Sequence, residues 1–210
     1  MGIVTGDDIL EMATKEATED FHKGGAITPL KIGFGEAGIG LLYKSRIGWL
    51  MILALVDLIS ASLISRFEHA ISQVLTLAFF MPMLLNSGGN AGAQSSTLII
   101  RDLATGDAKH KDWLYLIVKE ICIALALGLT IGLTVWGPSV FQGGPAVGRV
   151  VALSGVAIVT ISSVTGVVVP MLMSKMGLDP ASSSTPMITS VVDIFGVIIY
   201  FNLAVWYLNL

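Results

Sequence analysis

The residues of this sequence that could do chemistry lie inside apolar segments. In the last of these segments, Asp193 lies near the middle of a run rich in valine, isoleucine and phenylalanine. Polar or small residues recur around it at spacings of 3, 4, 4, 3 and 4: Ser182, Thr185, Thr189, Asp193, Gly196 and Tyr200. Because this spacing places them on one face of an α-helix, we predict a wet face around Asp193 and a lipid-facing or packing face opposite.

A second polar face is predicted in an earlier apolar segment, which contains the stretch PMLLNSGGNAGAQSS. Spacings of 4, 4, 3, 4 and 4 align Pro82, Asn86, Asn90, Ala93, Thr97 and Arg101. Three glycines within the stretch expose backbone and allow another helix to approach closely. Close packing needs small residues, but it does not need Asn86, Asn90 and Gln94, so we favour a functional role over a simple helix crossing.

A carboxylate in the middle of a membrane needs compensation. Placing Asp193 there costs at least about 2.5 kcal/mol, and a cation, a basic partner or a proton must offset that cost. The nearby ligand types are carboxylate, amide, hydroxyl and carbonyl oxygens, which suit Mg²⁺, Ca²⁺, Mn²⁺, Na⁺ or K⁺ rather than copper or zinc. The residues alone therefore predict a metal-cation pathway, with a protonated or hydrogen-bonded Asp193 that only specifies packing as the alternative. For Asp57, a packed carboxylate and a peripheral site on the pathway are equally compatible with the pattern.

The composition indicates an all-α polytopic membrane protein. Charged residues make up only 13% of the chain, against roughly 25% in ordinary soluble domains. The net charge is −3 and there is no basic tract, so nucleic-acid binding has no support. We predict a polar region over 1–46 and a membrane domain over 47–210. Its five spans are 47–65, 70–100, 113–137, 147–175 and 181–208.

The basic residues predict the orientation of these spans. With the N-terminus in the cytoplasm, the cytoplasmic side carries Lys31, Lys44, Arg46, Arg101, Lys109, Lys111, Lys119 and Lys175. The other side carries only Arg66 and Arg149. This asymmetry follows the positive-inside rule, so we expect a multi-pass protein of the cell membrane whose C-terminus lies outside. No second copy of the Gly/Asn stretch is present, so a site built from two internal halves is not evident, and a pore between two copies of the chain is compatible with the pattern.

Three segments resemble the MgtE family of Mg²⁺ channels and transporters: AFFMPMLLNSGGNAGAQSSTLIIRDLATGD (78–107), GLDPASSSTPMITSVVDIFGVIIYFNLA (177–204) and GIVTGDDILEMATKEATEDF (2–21). The first two are similar to the family's signature and to its last transmembrane helix. The third is similar to the end of the family's second CBS domain, running into the linker ("plug") helix. The resemblance covers essentially the whole chain.

The resemblance implies a five-helix transmembrane domain that forms a homodimer in the lipid bilayer. The pore would run along the two-fold axis between the second and fifth helices and would conduct Mg²⁺, with weaker passage of Mn²⁺ or Ca²⁺. By motif position, Asp193 matches the central acidic residue, Thr189 offers a backbone carbonyl, and Asp179 lies near the cytoplasmic mouth. Together with the polar faces, this gives the expected metal-site residues: Asp193, Thr189, Asn90, Asp179, Asn86 and Thr185.

The sequence departs from the family pattern in two respects. The family usually reads GGNAGNQ, whereas this chain has Ala93 at the second asparagine, so one amide expected to face the pore is missing. The cytoplasmic N domain and most of the CBS pair, which sense Mg²⁺ in the family, are also missing. The CBS-like fragment at 2–8 favours an excised transmembrane part of a longer protein over a naturally short member.

Two other functions are compatible with parts of the pattern. An ion-coupled divalent-cation carrier, related to solute carriers, cannot be separated from a channel by sequence. An intramembrane aspartyl protease would need Asp57 and Asp193 to share a proton, but the GxGD context of such enzymes is absent, and we expect no enzymatic activity.

Overall fold

The structure, a computed structural model, describes residues 5–210 apart from the side chain of His110. Every regular element in that range is helical, as the sequence predicts. The helices are α1 Gly6–Gly24, α2 Ile39–Ser65, α3 Glu68–Gln73, α4 Thr76–Thr105, α5 Trp113–Lys175 and α6 Thr185–Leu208, with short 3₁₀ turns at His110–Asp112 and Pro180–Ser182. Part of the CBS-like fragment, residues 1–4, lies outside the described residues.

The start of α1 is fixed by a capping box. The Thr5 hydroxyl accepts a hydrogen bond from the Asp8 backbone N–H, and the Asp8 carboxylate accepts one from the Thr5 N–H at 2.8 Å. Such reciprocal bonds satisfy donors that a helix N-terminus leaves unpaired. None of the residues of α1 is buried, so this helix lies on the surface, as its charged face predicts.

Helix α5 is a hairpin rather than one straight rod. Its residues would extend about 95 Å if straight, but Gly144 has φ 82° and ψ 174°, a conformation that is accessible to glycine. The chain folds back there, as contacts between the two arms show. A Cβ on Gly128 would lie 2.9 Å from the Val156 carbonyl oxygen, and one on Gly132 would lie 2.9 Å from the Ala152 carbonyl oxygen. The arms of α5, 113–143 and 145–175, contain the predicted third and fourth spans.

The core lies where α4, α5 and α6 meet. It consists of Leu77, Phe80, Leu84, Val135, Val147, Val150, Val151, Ile158, Val197, Tyr200, Phe201 and Ala204. Burial of this apolar surface on all three helices fixes their mutual positions. A smaller cluster at the other end joins Ile99, Ala108, Val167 and Met171.

Helix α2 lies at the periphery and packs against α6. It is almost wholly exposed, with Ser45 and Ser60 as its buried residues. Among the described residues, three helices are long and apolar enough to cross a membrane: α2, α5 and α6. Helix α4 is long enough but carries the polar stretch, so the structure supports a membrane protein without by itself establishing five spans.

Candidate functional site

The Gly/Asn stretch forms part of the continuous helix α4, and its two residue types lie on different faces. Gly88, Gly89 and Gly92 are buried, whereas Asn86 and Asn90 are exposed. Neither asparagine side chain hydrogen-bonds to another described residue. The glycines therefore serve packing within the chain, while the amides remain available to water, an ion or a second chain.

The buried glycines bring three helices together. A Cβ on Gly88 would lie 2.6 Å from Ile158 Cγ2 in the second arm of α5 and 3.2 Å from Val192 Cγ1 in α6. A Cβ on Gly92 would lie 2.9 Å from the carbonyl oxygen of Ser162. Since real Cβ atoms almost never approach other atoms so closely, these positions require glycine for the helices to pack as they do.

Helices α4 and α6 run antiparallel in a defined register. Gly92 contacts Ile188, Gly89 contacts Thr189, and Gly88 contacts Val192. Each step toward the C-terminus of α4 is thus matched by a step toward the N-terminus of α6. In this register, Asn90 is level with Thr189 and Asn86 is level with Asp193. The structure therefore brings four of the six predicted site residues to matching depths on neighbouring helices.

The predicted wet face of α6 is correct only for its first half. Thr185 is exposed, and Thr189 and Asp193 are half-buried, with no hydrogen bond to Asp193 from any described residue. The prediction was wrong for Gly196 and Tyr200, which are buried. Leu85 of α4 packs onto Gly196, and the Tyr200 hydroxyl donates to the Leu77 carbonyl oxygen at 2.9 Å, so both residues belong to the core.

Asp57 of α2 is exposed. It makes no hydrogen bond to any described residue, so the interpretation as a packed, hydrogen-bonded carboxylate does not fit. The two carboxylates are not hydrogen-bonded to each other either. They therefore lack the shared-proton contact that an aspartyl protease requires.

Asp179 lies away from Asp193 and the two asparagines, in the segment before α6. Its Oδ2 accepts a hydrogen bond from Lys23 Nζ of α1 at 2.6 Å, and Lys23 also pairs with Glu19 at 2.6 Å. Burial alone would raise the pKa of Asp179, but the Lys23 bond and the Ala181 N–H outweigh it and hold that pKa below the usual range of an aspartate. Asp179 thus connects α1 to the segment just before the N-terminus of α6.

A cavity of about 520 Å³ lies at this end of the bundle, where α1, the end of α4 and the start of α6 meet. Thr185, Thr97 and Arg101 line it together with Asp20 of α1. Polar residues from both predicted faces therefore line one cavity beside α1.

Sequence reasoning missed Glu120 in the first arm of α5. The Ser95 hydroxyl, on the buried face of α4, donates to Glu120 Oε1 at 2.5 Å. Glu120 is half-buried, so this bond satisfies a carboxylate inside the bundle. The signal was present in the stretch VKEICIALAL, where an acidic residue begins an otherwise apolar run.

Comparison with known proteins shows the family of this chain. A family model described as MgtE, divalent cation transporter, matches residues 81–203, which contain most of α4, all of α5 and most of α6. The chain belongs to the MgtE family. The resemblance inferred from the Gly/Asn stretch and the segment around Asp193 is therefore confirmed.

Three curated relatives, each named magnesium transporter MgtE, match nearly the whole chain. The protein of Thermus thermophilus is 41% identical over 204 residues, which cover 97% of this chain and 45% of the relative. That of Bacillus subtilis is 36% identical over 210 residues, covering 100% and 46%. That of Enterococcus faecalis is 34% identical over 205 residues, covering 97% and 45%. The chain thus spans a little less than half the length of these MgtE relatives.

Proposed function

We propose that two copies of this chain form a pore that conducts Mg²⁺ across the cell membrane. Membership of a divalent-cation transporter family and three relatives named magnesium transporters support the ion. The observation that carries the proposal is the register of α4 and α6. Asn86 and Asn90 remain exposed at the depths of half-buried Asp193 and Thr189, whereas the glycines between and next to them are buried against α5 and α6.

The chemistry of these residues suits a hydrated divalent cation. Mg²⁺ gives up its water reluctantly and is often held through one or two carboxylates and its remaining waters. A two-fold axis would bring two copies of Asp193 together, and the ion would offset the cost of each carboxylate in the membrane. Asn86 and Asn90 would hydrogen-bond to the water shell, and Thr189 would add its carbonyl oxygen. Thr185 and Asp179 would lie at the entrance, and Mn²⁺ or Ca²⁺ could pass less readily.

The proposed membrane arrangement has five crossings. Helices α2, α4 and α6 would each cross once, and each arm of α5, about 46 Å long, is sufficient for one crossing. The polar face of α4 would line the pore, which explains why this helix is not apolar throughout. The N-terminus and α1 would lie in the cytoplasm with the excess of basic residues, and the C-terminus outside. Residues 1–46 would form the cytoplasmic part of the chain next to the pore domain.

Mg²⁺ influx into liposomes tests the proposal through Asp193→Asn. We expect a loss of at least about tenfold, since a lost carboxylate raises the barrier by roughly 1.4 kcal/mol or more. Asn202→Leu is the matched control, because Asn202 is an exposed polar residue of the same helix whose amide donates to the Ile198 carbonyl oxygen at 2.7 Å. Equal influx through the wild type and Asp193→Asn would refute the role of Asp193.

The same liposomes separate a channel from an ion-coupled carrier. For a channel we expect influx that follows the Mg²⁺ gradient and the membrane potential and is unchanged by an imposed Na⁺ gradient. A strong dependence on Na⁺ would favour the carrier. We also propose that the chain is not an enzyme, since the family consists of transporters and Asp57 and Asp193 share no hydrogen bond.

A further inference from the structure

A large cleft lies between α1 and the irregular segment that leads into α2. Its volume is about 950 Å³, and it is separate from the cavity beside Thr185. One wall is a face of α1, the other is the segment 27–34, and Arg46 of α2 closes one end. The lining side chains that matter for recognition are Lys31, Arg46, Phe34, Ile27, Leu30 and Ile32.

Hydrogen bonds hold the walls of this cleft in place. The backbone N–H of Leu30 donates to His22 Nδ1 of α1 at 3.3 Å, and that of Thr28 donates to the Ser45 carbonyl oxygen of α2 at 2.9 Å. The Arg46 guanidinium lies 5.9 Å from the centre of the Phe34 ring, a cation–π contact that orients it. These contacts connect α1, the segment 27–34 and α2, and they define the shape of the cleft.

The charges of the cleft favour an anion. Its acidic residues are Glu11 and Glu19, and each is already paired, with Lys15 and Lys23 respectively, at 2.6 Å. Lys31 and Arg46 have no ion-pair partner among the described residues. Two cations without an ion-pair partner thus face a space whose two carboxylates are each bonded to a lysine, one of which, Lys23, also pairs with Asp179. Two free cations in one cleft favour a phosphate group.

An apolar groove continues from the cleft along α2. It has a volume of about 280 Å³ and is lined by Ile39, Leu42, Tyr43, Arg46, Ile47 and Leu50. Arg46 lines both spaces, so the charged cleft and the apolar groove meet at its side chain. The groove lies on α2, which is exposed and apolar enough to cross the membrane. A soluble phosphate compound has no apolar chain that could occupy this groove.

We propose that this composite surface binds a phospholipid with an anionic headgroup. The phosphate binds to Lys31 and Arg46, and one acyl chain lies along the groove of α2. Because α1 forms one wall of the cleft, the bound lipid also holds α1 at the membrane surface. This site is distinct from the proposed ion pathway and does not depend on it.

Native mass spectrometry of the detergent-solubilised chain tests the proposal, with phosphatidylglycerol and phosphatidylcholine of identical acyl chains as probes. We expect tighter binding of phosphatidylglycerol. Arg46→Gln and Lys31→Gln should each weaken that binding about fivefold and leave phosphatidylcholine binding nearly unchanged. Leu50→Gln, which alters the groove alone, should weaken both lipids and keep their ratio.

Lys44→Gln is the matched control. Lys44 is an exposed cation two residues before Arg46, and its side chain lines neither the cleft nor the groove. It should retain wild-type binding. The proposal is overturned if the wild type does not prefer phosphatidylglycerol, or if Lys44→Gln loses as much affinity as Arg46→Gln, which would indicate diffuse surface attraction. Displacement of the lipid by stoichiometric glycerol 3-phosphate would overturn the lipid assignment in favour of a soluble phosphate.

Discussion

The two faces of α4 differ in what they contact, although their residues alternate within a few positions of one sequence stretch. The glycine face, consisting of Gly88, Gly89 and Gly92, is buried against α5 and α6. The amide face, consisting of Asn86, Asn90 and Gln94, is exposed in a single copy of the chain. The glycine face allows the three helices to pack closely, and the amide face takes no part in that packing.

Under the proposed function, this difference predicts that the glycine face serves stability and the amide face serves transport. A side chain added on the glycine face would meet α5 or α6 inside the chain, whereas the amide face is exposed. Substitutions on the two faces should therefore damage different properties, and each of the following variants tests that separation.

The largest effect is expected from Gly92→Leu. A side chain there would meet the Ser162 carbonyl oxygen at 2.9 Å and Ile188 Cγ2 at 3.1 Å, and overpacking against backbone costs about 1–3 kcal/mol or more. We expect loss of most folded protein, measured by size-exclusion chromatography in detergent. Gly137→Ala is the control, because no atom lies within 4 Å of its added Cβ and alanine is favoured in a helix. A normally folded Gly92→Leu variant would contradict the packing role.

Asn90→Ala should have the next largest effect, on transport alone. Removing an exposed amide leaves the packing of α4 intact, so the unfolding temperature should stay within about 2 °C of the wild type. Mg²⁺ influx should fall about tenfold, if the amide contributes roughly 1.4 kcal/mol to passage of the hydrated ion. Should Asn90→Ala unfold the protein and leave influx per folded molecule unchanged, the two faces would not differ as we infer.

Ser95→Ala probes the polar part of the buried face. It removes the hydroxyl that donates to Glu120 at 2.5 Å and leaves a half-buried carboxylate without this partner, at a cost of about 1–3 kcal/mol. We expect a lower unfolding temperature in detergent. Ser95→Thr, which keeps a hydroxyl, serves as the comparison, and equal stability of Ser95→Ala and the wild type would show that the bond contributes nothing.

The smallest effect is expected from Ala93→Asn, which adds the amide that the family usually has at this position. Ala93 is half-buried at the edge of the amide face, so the longer side chain can extend toward the same space as Asn90. We expect unchanged stability and a change of about two- to threefold in the ratio of Mg²⁺ to Ca²⁺ influx, about 0.5 kcal/mol. An unchanged ratio would exclude position 93 from ion selection.

Much of the fold could be predicted because a periodic pattern of polar residues shows which of them lie on the same side of a helix. The spacing of Asn86, Asn90 and Thr97 correctly indicated a shared face of one helix, and that face is exposed. The same method failed at Gly196 and Tyr200, because a small residue and a hydroxyl-bearing aromatic residue fit a wet face or a packed core equally well. Only the contacts with Leu85 and Leu77 distinguish the two.

The site was partly predictable for a similar reason. The cost of a carboxylate in an apolar helix singles out Asp193 without any structure. The bond between Ser95 and Glu120, and the pair of Lys23 with Asp179, join residues that are far apart in sequence. No local spacing rule connects such residues, so sequence reasoning did not find these pairs.

The sequence by itself determined the membrane class, which residues share one side of a helix, and the family, because composition, periodicity and a motif are properties of local chemistry. The tertiary structure alone decided which face is buried and at what depth each residue lies. Those depend on the approach of α4 to α5 and α6 at its glycines, and on the turn at Gly144 that reverses α5. This approach sets the antiparallel register that places Asn86 level with Asp193, since helices that pack through backbone contacts have little freedom to slide.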